Sequence, residues 1–411
     1  MSRTPSLLPF LRDNAAFLAA GALLTFTSSY GQTFFISVFA GEIRESFGLS
    51  HGTWGAIYAA GTFASAIAMI WAGQATDWLR VRSLSVIVLP LFAAACLAMA
   101  WSTAAWMLVP IVFLLRFCGQ GMTSHIATVA MARWFVATRG RALSVASMGF
   151  ALGEALLPVT FVALFALMDW RWLWVLAAAL ILGTLPVLSR LLTLERTPQD
   201  VAAETESRGM GGRHWRRAEV MRHWLFWAMV PYLIGPAAFS TAFFFHQVHF
   251  AETKALSHLA LVALFPVYTA SAIGAMLLSG LLIDRLGTAR LMPLAQTPMI
   301  GAFVVLSVAE GAGGAALGMA LMALSVGSNH TLPSAFWAEF YGTRHIGAVK
   351  AMAAALMVLG TAIGPIMTGL LIDAGVSFDD QMIGIAAWFA FACACTGVAI
   401  SRAAPLLPLR A

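Results

Sequence analysis

Long apolar stretches separated by short polar turns run along the whole chain. A helix needs about 20 mostly apolar residues to cross the hydrocarbon core of a bilayer. Twelve stretches are suited to this: 15–40, 53–76, 84–101, 105–134, 142–168, 173–192, 224–250, 258–283, 291–308, 315–340, 348–372 and 382–401. The pattern predicts an all-α membrane protein with twelve transmembrane helices. We interpret the first stretch as a permanent helix, because it is too long for the apolar core of a signal peptide.

Composition supports a lipid environment. Hydrophobic residues make up 60% of the chain, charged residues only 10%, and the mean hydropathy is +0.84. A soluble domain is about one quarter charged, so this composition argues against a soluble enzyme. The net charge of +6 does not indicate nucleic-acid binding, because no basic stretch belongs to a soluble domain.

The distribution of positive charge predicts the topology. With the N-terminus placed inside, all but four of the 24 Lys and Arg residues fall in or beside the inner turns. Arg44, Arg171 and Lys254 remain outside, and Arg116 lies within a stretch. The positive-inside rule then places both termini in the cytoplasm of a protein of the inner or plasma membrane.

The chain carries an internal duplication. A shift of 207 positions superposes Gly73 on Gly280, Asp77 on Asp284, Gly153 on Gly360 and Pro158 on Pro365. The one long polar interval then separates two pseudo-symmetric six-helix halves, residues 1–194 and 224–411, joined by a cytoplasmic linker at 195–223. Transporters built from such repeats bind substrate between the halves and alternate access by rocking them.

The polar turn after the second helix of each half carries a family signature. In the second half it comprises Gly280, Asp284, Arg285, Gly287 and Arg290. The degraded first copy comprises Gly73, Asp77, Arg80 and Arg82, with Trp78 and Arg80 where Arg and Gly are usual. These turns resemble the signature of the major facilitator superfamily, and Arg116, Gly119 and Gly121 resemble its fourth-helix motif. The resemblance implies a twelve-helix secondary transporter.

The same turns make physical sense as gating loops. Asp77 and Asp284 lie beside helix ends and several arginines, including Arg80 and Arg285. We expect them to form a cytoplasmic latch that breaks when the halves move. The alternative is ordinary solvation of charge at the membrane surface.

Charged residues at membrane depth are costly, so each is a candidate functional residue. Arg116 and Glu154 are the two that stand out. At 1.5 Å per helical residue they lie about 22 Å and about 17 Å from the inner ends of their helices. We expect them to pair, either in transport or as a structural salt bridge. The spacing of Arg116, Gln120, Ser124 and Thr128 places these side chains on one helix face, which is typical of a cavity wall.

Other polar residues within the stretches are weaker candidates, because each taken alone is more often a packing residue. These are Tyr30 and Gln32 on the first helix, Tyr232 on the seventh, Tyr268 on the eighth, and Asn329 and His330 on the tenth. Pro231, Gly235 and Pro236 predict a break in the seventh helix, which is tolerated where protein or water satisfies the main chain.

We expect no metal and no cofactor. His246 and His249 lie one turn apart, but no carboxylate or thiol completes a ligand set. No phosphate-binding loop is present, so ATP is not the expected energy source. The segment from Gly369 to Asp373 imitates the one from Gly280 to Asp284, but it falls on the outer side, and we interpret the similarity as coincidence of composition.

Together these patterns predict a secondary active transporter, not an enzyme, that acts as a monomer in the bilayer on a small organic solute, with an anion slightly preferred. We expect proton coupling through Glu154 in a symport. Two alternatives stay open. One is a proton-driven drug efflux antiporter, although Glu154 follows Gly153 where that family has Pro. The other is a transporter-like membrane sensor, which would usually carry a longer extension.

Overall fold

The computed structural model describes residues 7–73, 75–135, 139–193, 209–342 and 345–407. Throughout these ranges the regular secondary structure is helical, and they contain no strand. The chain forms two compact units, one of residues 1–47 and 60–203 and the other of residues 48–59 and 204–411.

The first unit contains the first eleven helices, except for the beginning of α5. They are α1 Leu7–Asp13, α2 Ala15–Ser28, α3 Thr33–Ile36, α4 Ala40–Phe47, α5 His51–Ala72, α6 Ala75–Trp78, α7 Val81–Ala100, α8 Leu108–Leu115, α9 Ser124–Trp134, α10 Arg139–Leu164 and α11 Trp170–Leu191. A π-helix, Arg116–Thr123, joins α8 to α9. The first nine residues of α5 belong to the second unit.

Helix α2 packs against α10 through small residues. A Cβ added at Gly149 would meet the main-chain oxygen of Ala22, and one added at Gly153 would meet the side chain of Ser29. Small residues allow helices to approach closely in membranes, where packing rather than a hydrophobic driving force holds them together. These glycines therefore determine how near α10 lies to the end of α2.

The second unit contains the remaining helices. They are α12 Arg217–Arg222, α13 Trp224–Ala228, α14 Val230–Phe245, α15 Gln247–Thr253, α16 His258–Val262, α17 Phe265–Leu286, α18 Thr288–Leu291, α19 Thr297–Ser307, α20 Gly311–Asn329, α21 Leu332–Tyr341, α22 Ile346–Asp373 and α23 Phe378–Ala403.

Helices α14 and α22 repeat the packing of α2 and α10. A Cβ at Gly360 would lie 3.1 Å from the carbonyl oxygen of Ile234, and one at Gly364 would meet the carbonyl of Ala238. Gly360 is the residue that the 207-position shift matches to Gly153. The duplicated glycine therefore lies in a close helix contact in both units, against the Ser29 side chain in one and the Ile234 carbonyl in the other.

Nine helical segments of the described chain are long and apolar enough to span a membrane, and Ala15–Gly31 and Thr297–Ser307 are shorter apolar helices. Helix α5 coincides with the remaining predicted stretch, 53–76. The arrangement of twelve spans in two halves stays a prediction.

Residues 209–222, at the end of the predicted linker, fold onto the second unit. Trp215 donates its main-chain N–H to the carbonyl of Tyr341 at 3.0 Å. Met210 and Val220 are buried in the same apolar cluster as Tyr341. The imidazole Nδ1 of His223 lies 3.0 Å from the Tyr341 hydroxyl. This segment is therefore part of the core of its unit.

Candidate functional site

The first predicted stretch is not one continuous helix. Gln32 has an extended main chain, with φ −86° and ψ 157°, between the 3₁₀ turn Ser29–Gly31 and α3. The N–H of Phe35, which would bond to Gly31 in an α-helix, bonds to the carbonyl of Gln32 at 3.2 Å. The carbonyl of Gly31 therefore needs another donor.

Arg116 supplies that donor. Its Nη1 atom donates to the Gly31 carbonyl at 3.1 Å and to the Thr33 hydroxyl at 3.4 Å. The side chain is 1% exposed. Its cationic group lies at the carbonyl end of a helical segment, where the helix dipole favours positive charge.

Arg116 begins the π-helix that continues to Thr123. The hydroxyl of Thr123 donates to the carbonyl of Cys118 at 2.6 Å, five residues earlier. Short π-helical segments are frequent at functional sites. A sequence pattern of i, i+4 spacing assumes α-helical geometry and does not reveal such a segment.

Two glycines of the fourth-helix motif explain the position of Arg116. A Cβ on Gly119 would lie 2.6 Å from the Cα of Gly31, so the two main chains are in direct contact. A Cβ on Gly121 would lie 2.8 Å from the sulfur of Met69 on α5. The motif thus brings the π-helix against both the first and second predicted helices.

The other candidates of the first unit lie at different levels of burial. Tyr30 is 2% exposed, and its ring lies 5.1 Å from that of Phe35 in an edge-on contact. Gln32, Gln120 and Glu154 are half-buried. The structure thus places Tyr30 in an aromatic core, whereas the pairing of Glu154 with Arg116 stays a prediction.

The polar stripe that begins at Arg116 becomes more exposed along its length. Arg116 is buried, Gln120 and Ser124 are half-buried, and Thr128 is exposed. Ser124 also lies 3.4 Å from Ser28 of α2, oxygen to oxygen. Burial therefore decreases from Arg116 to Thr128, and the cavity wall stays a prediction.

In the second unit, two of the predicted candidates bond directly to each other. The hydroxyl of Tyr232 donates to Oδ1 of Asn329 at 2.9 Å. Tyr232 is 1% exposed and Asn329, the last residue of α20, is half-buried. The sequence identified both residues but gave no indication that they are partners.

A third residue, Gln296, was missed by sequence reasoning. Its Nε2 donates to the main-chain carbonyl of Tyr232 at 2.6 Å, and its side chain is fully buried. The only signal in the sequence is an amide just before an apolar run, which does not distinguish it from a helix-end residue.

A break at Gly235 and Pro236 of the seventh helix, as predicted, is wrong, although an interruption does lie just before Pro231. Helix α14 runs from Val230 to Phe245 with Pro231 in its first turn and Pro236 inside it. The helix is interrupted instead at Met229, before it begins, and at His246, after it ends. Pro236 has no N–H for the carbonyl of Tyr232, and Gln296 replaces that donor.

Two further candidates of the second unit do not join this pair. Tyr268 is buried, with its ring 5.1 Å from that of Phe244. His330 is exposed and lies where α20 ends, before α21 begins at Leu332. The tenth predicted helix is therefore interrupted beside Asn329.

The glycines of the gating loops occupy distinct environments. The carbonyl of Gly73 lies 3.2 Å from Nε2 of His125 on α9. Gly287 ends α17 with φ 77°, a conformation that favours glycine. A Cβ on Gly280 would meet open space.

The structure describes the side chains of only some charged residues in these loops. Arg80 and Arg285 are exposed, and the side chains of Asp77 and Asp284 lie outside the described part of the structure. A contact with α21 holds the second loop: the carboxylate of Glu339 accepts from the N–H of Thr288 at 3.2 Å and from its hydroxyl at 2.5 Å. The predicted latch stays a prediction.

Asp373 ends the segment that resembles the signature from Gly280 to Asp284, and its carboxylate contacts the beginning of α5. Its carboxylate accepts hydrogen bonds from the Ser50 hydroxyl at 2.6 Å, the His51 N–H at 3.1 Å and the Gly52 N–H at 2.8 Å. A carboxylate at a helix N-terminus satisfies N–H groups that have no partner within the helix. A Cβ on Gly369 would lie 2.6 Å from the His51 carbonyl. The segment from Gly369 to Asp373 therefore holds the beginning of α5.

Three histidines lie beside this contact. The ring of His51 is 4.5 Å from that of His249 and 5.7 Å from that of His246. His246 is 3% exposed, with Nε2 3.0 Å from the carbonyl of Pro365. These imidazoles pack α5 against the end of α14, α15 and α22.

Solved structures with a similar fold include transport proteins by title. A bacterial homologue of the human lysosomal transporter Spinster, inward-facing and occupied, has a TM-score of 0.75 at 15% identity, covering 99% of this chain and 100% of its own. Its unoccupied form gives 0.72 at 15% identity, covering 97% and 99%. The nucleoside transporter NupG gives 0.67 at 13% identity, covering 95% and 98%. These likenesses show the fold alone.

A search of curated proteins found no match. The family model of the Major Facilitator Superfamily, however, matches residues 21–365, which is most of the chain. With its many apolar helices, this chain is therefore a multi-pass membrane protein that belongs to the Major Facilitator Superfamily.

Proposed function

We propose that this chain is a secondary active transporter of a small organic solute, with alternating access between two six-helix halves of a twelve-span protein. The observation that carries the proposal is the interruption of the first helix at Gln32, with the buried guanidinium of Arg116 bonded to the carbonyl of Gly31. Transporters build substrate sites from interrupted helices at membrane depth, because such breaks expose main-chain groups. Both termini are cytoplasmic in this proposal.

The charges of the first unit support coupling to protons. Arg116 is buried and Glu154 is half-buried, so both charges carry a desolvation cost. Glu154 would alternate between pairing with Arg116 and carrying a proton. An anionic solute that reaches Arg116 would release Glu154 for protonation, which couples the solute to the proton in a symport.

The second unit contributes uncharged hydrogen-bonding groups. The Tyr232 and Asn329 pair joins α14 to the interrupted end of α20. The half-buried amide of Asn329 would bind hydroxyl and carbonyl groups of a solute without adding charge, with the Tyr232 hydroxyl holding its oxygen. The preference for an anion therefore rests on the first unit alone.

The test is uptake into proteoliposomes with and without a pH gradient. The panel comprises carboxylates, sugars, nucleosides, amines and dyes; nucleosides are included because NupG, which shares the fold, is a nucleoside transporter by title. Accumulation of a solute with inward proton flow supports the proposal. Expulsion of dyes in exchange for protons would favour the drug antiporter, and binding without movement of any panel solute would favour a sensor.

The gating loops have their own test. Asp284→Asn is expected to slow transport with membrane insertion intact, because removing a charge shifts the equilibrium between conformations rather than the fold. Thr297→Val, an exposed change outside the loop, serves as control. Transport by Asp284→Asn equal to the parent would leave the loop as solvated surface.

A further inference from the structure

The seventh predicted helix lacks one main-chain hydrogen-bond donor, and a side chain from another part of the chain replaces it. In an α-helix, the N–H of residue 236 would bond to the carbonyl of residue 232, but Pro236 has no N–H. The side-chain amide of Gln296, just before α19, donates to that carbonyl at 2.6 Å. Gln296 is fully buried, so water does not offer a substitute. Helix α14 stays continuous from Val230 to Phe245 across this point.

The same tyrosine is held at its other end. The Tyr232 hydroxyl donates to Oδ1 of Asn329 at 2.9 Å, so its main chain is bonded to Gln296 and its side chain to α20. An amide whose oxygen accepts a bond presents its nitrogen hydrogens as donors. The geometry of Asn329 therefore depends on where the main chain of Tyr232 is fixed.

We propose that Gln296 is a positioning residue for the Tyr232 and Asn329 pair: its amide replaces the main-chain donor that Pro236 removes, and so holds the tyrosine hydroxyl on Asn329. That the pair binds the solute rests on the proposed function. The positioning itself is measurable without any solute, so its failure is distinguishable from failure of the transport proposal.

The first experiment returns the missing N–H to the helix. Melting temperatures are compared for the purified full chain, Gln296→Met, Pro236→Ala and the double variant. Gln296→Met removes the donor at similar length and is expected to lower the melting temperature by about 2–4 °C. Pro236→Ala supplies an N–H in place, so it should recover most of this loss in the double variant and change the parent little. An equal effect of Pro236→Ala in both backgrounds would overturn the proposal.

If Gln296→Met alone does not accumulate in the membrane, accumulation of the double variant becomes the readout. Recovery of inserted protein supports the replacement of one donor by the other. Absence of both proteins from the membrane counts against it.

The second experiment asks whether Gln296 acts through Tyr232. Tyr232→Phe removes the hydroxyl, and its effect on melting temperature is measured in the parent, in Gln296→Met and in Gln381→Met. Gln381 is a matched control, since it is also buried and donates to a main-chain carbonyl, that of Val376 at 3.2 Å. Tyr232→Phe should cost less in Gln296→Met than in the other two backgrounds. Equal costs in all three would show that Gln296 does not position the tyrosine.

Discussion

The guanidinium of Arg116 donates a hydrogen bond to the main-chain carbonyl of Gly31 at 3.1 Å, across 85 positions of sequence. The only strongly buried arginine of the described chain is thus committed to a break in another helix. Because a main-chain carbonyl without a donor is costly in a membrane, the break and the arginine stabilise each other.

Arg116→Leu should therefore destabilise the protein. Loss of a buried bond from a charged donor costs about 1.5–3 kcal/mol, and Arg116→Lys should cost less because it retains the charge and N–H donors. The measurement is the melting temperature of the purified protein, with Arg290→Leu as a control on an exposed arginine. If the two leucine variants melt alike, Arg116 does not support the break.

Glu154→Gln tests proton coupling. The change keeps polarity and shape but removes titration, so gradient-driven accumulation should be lost while solute exchange across the membrane continues. Exchange needs the conformational change but no net proton movement. Ser147→Ala, on the exposed part of the same helix, is the control. Normal accumulation by Glu154→Gln would exclude the residue as proton carrier, and failure to insert would favour a structural salt bridge.

Asp373→Asn should loosen the beginning of α5. The neutral amide is a weaker acceptor for the three donors at Ser50, His51 and Gly52, and helix-capping contacts are worth about 0.5–2 kcal/mol. Hydrogen exchange of the peptide covering residues 48–58 should become faster. Asp380→Asn is the control, because Asp380 bonds only locally to Ser377 in the contacts observed. Unchanged exchange would contradict a holding role for Asp373.

The packing of segment 209–222 onto the second unit should weaken in acid. Burial, and then the nearby charge of Arg213, lower the pKa of His223 below its ordinary value of about 6.5. The folded state therefore binds fewer protons than the unfolded state, and stability falls as the pH decreases from about 6.5 through the lowered folded pKa. The fall in melting temperature between pH 7.5 and pH 5.5 should be smaller in His223→Asn. An identical fall in both proteins would argue against this linkage.

The topology is tested by cysteine labelling in a background without native cysteines. Ala218 and Thr253 are both exposed and lie on opposite predicted sides of the membrane. Ala218→Cys should react with an impermeant maleimide only from the cytoplasmic side, and Thr253→Cys only from outside. Labelling of both from one side would refute the predicted arrangement of the second half.

The sequence by itself determined the lipid environment, the helical class and the family signature. Hydrophobic length fixes which segments prefer a bilayer, and this depends on each residue's own transfer free energy rather than on its neighbours. The match of Gly153 with Gly360 was also visible, because close helix packing demands a small residue wherever it occurs. Arg116 was identifiable for the same reason, since a charge at membrane depth is costly in any fold.

Only the tertiary structure decided what these residues contact. The first helix breaks at Gln32 and the seventh continues through Pro236, the opposite of what local propensity predicts. In each case the free energy of the main chain depends on a donor from a distant part of the chain, Arg116 for one and Gln296 for the other. Asp373 likewise acquires its role from the N-terminus of α5, more than 300 positions away. Periodicity specifies the face on which a side chain lies, but its partner is set by how the helices pack.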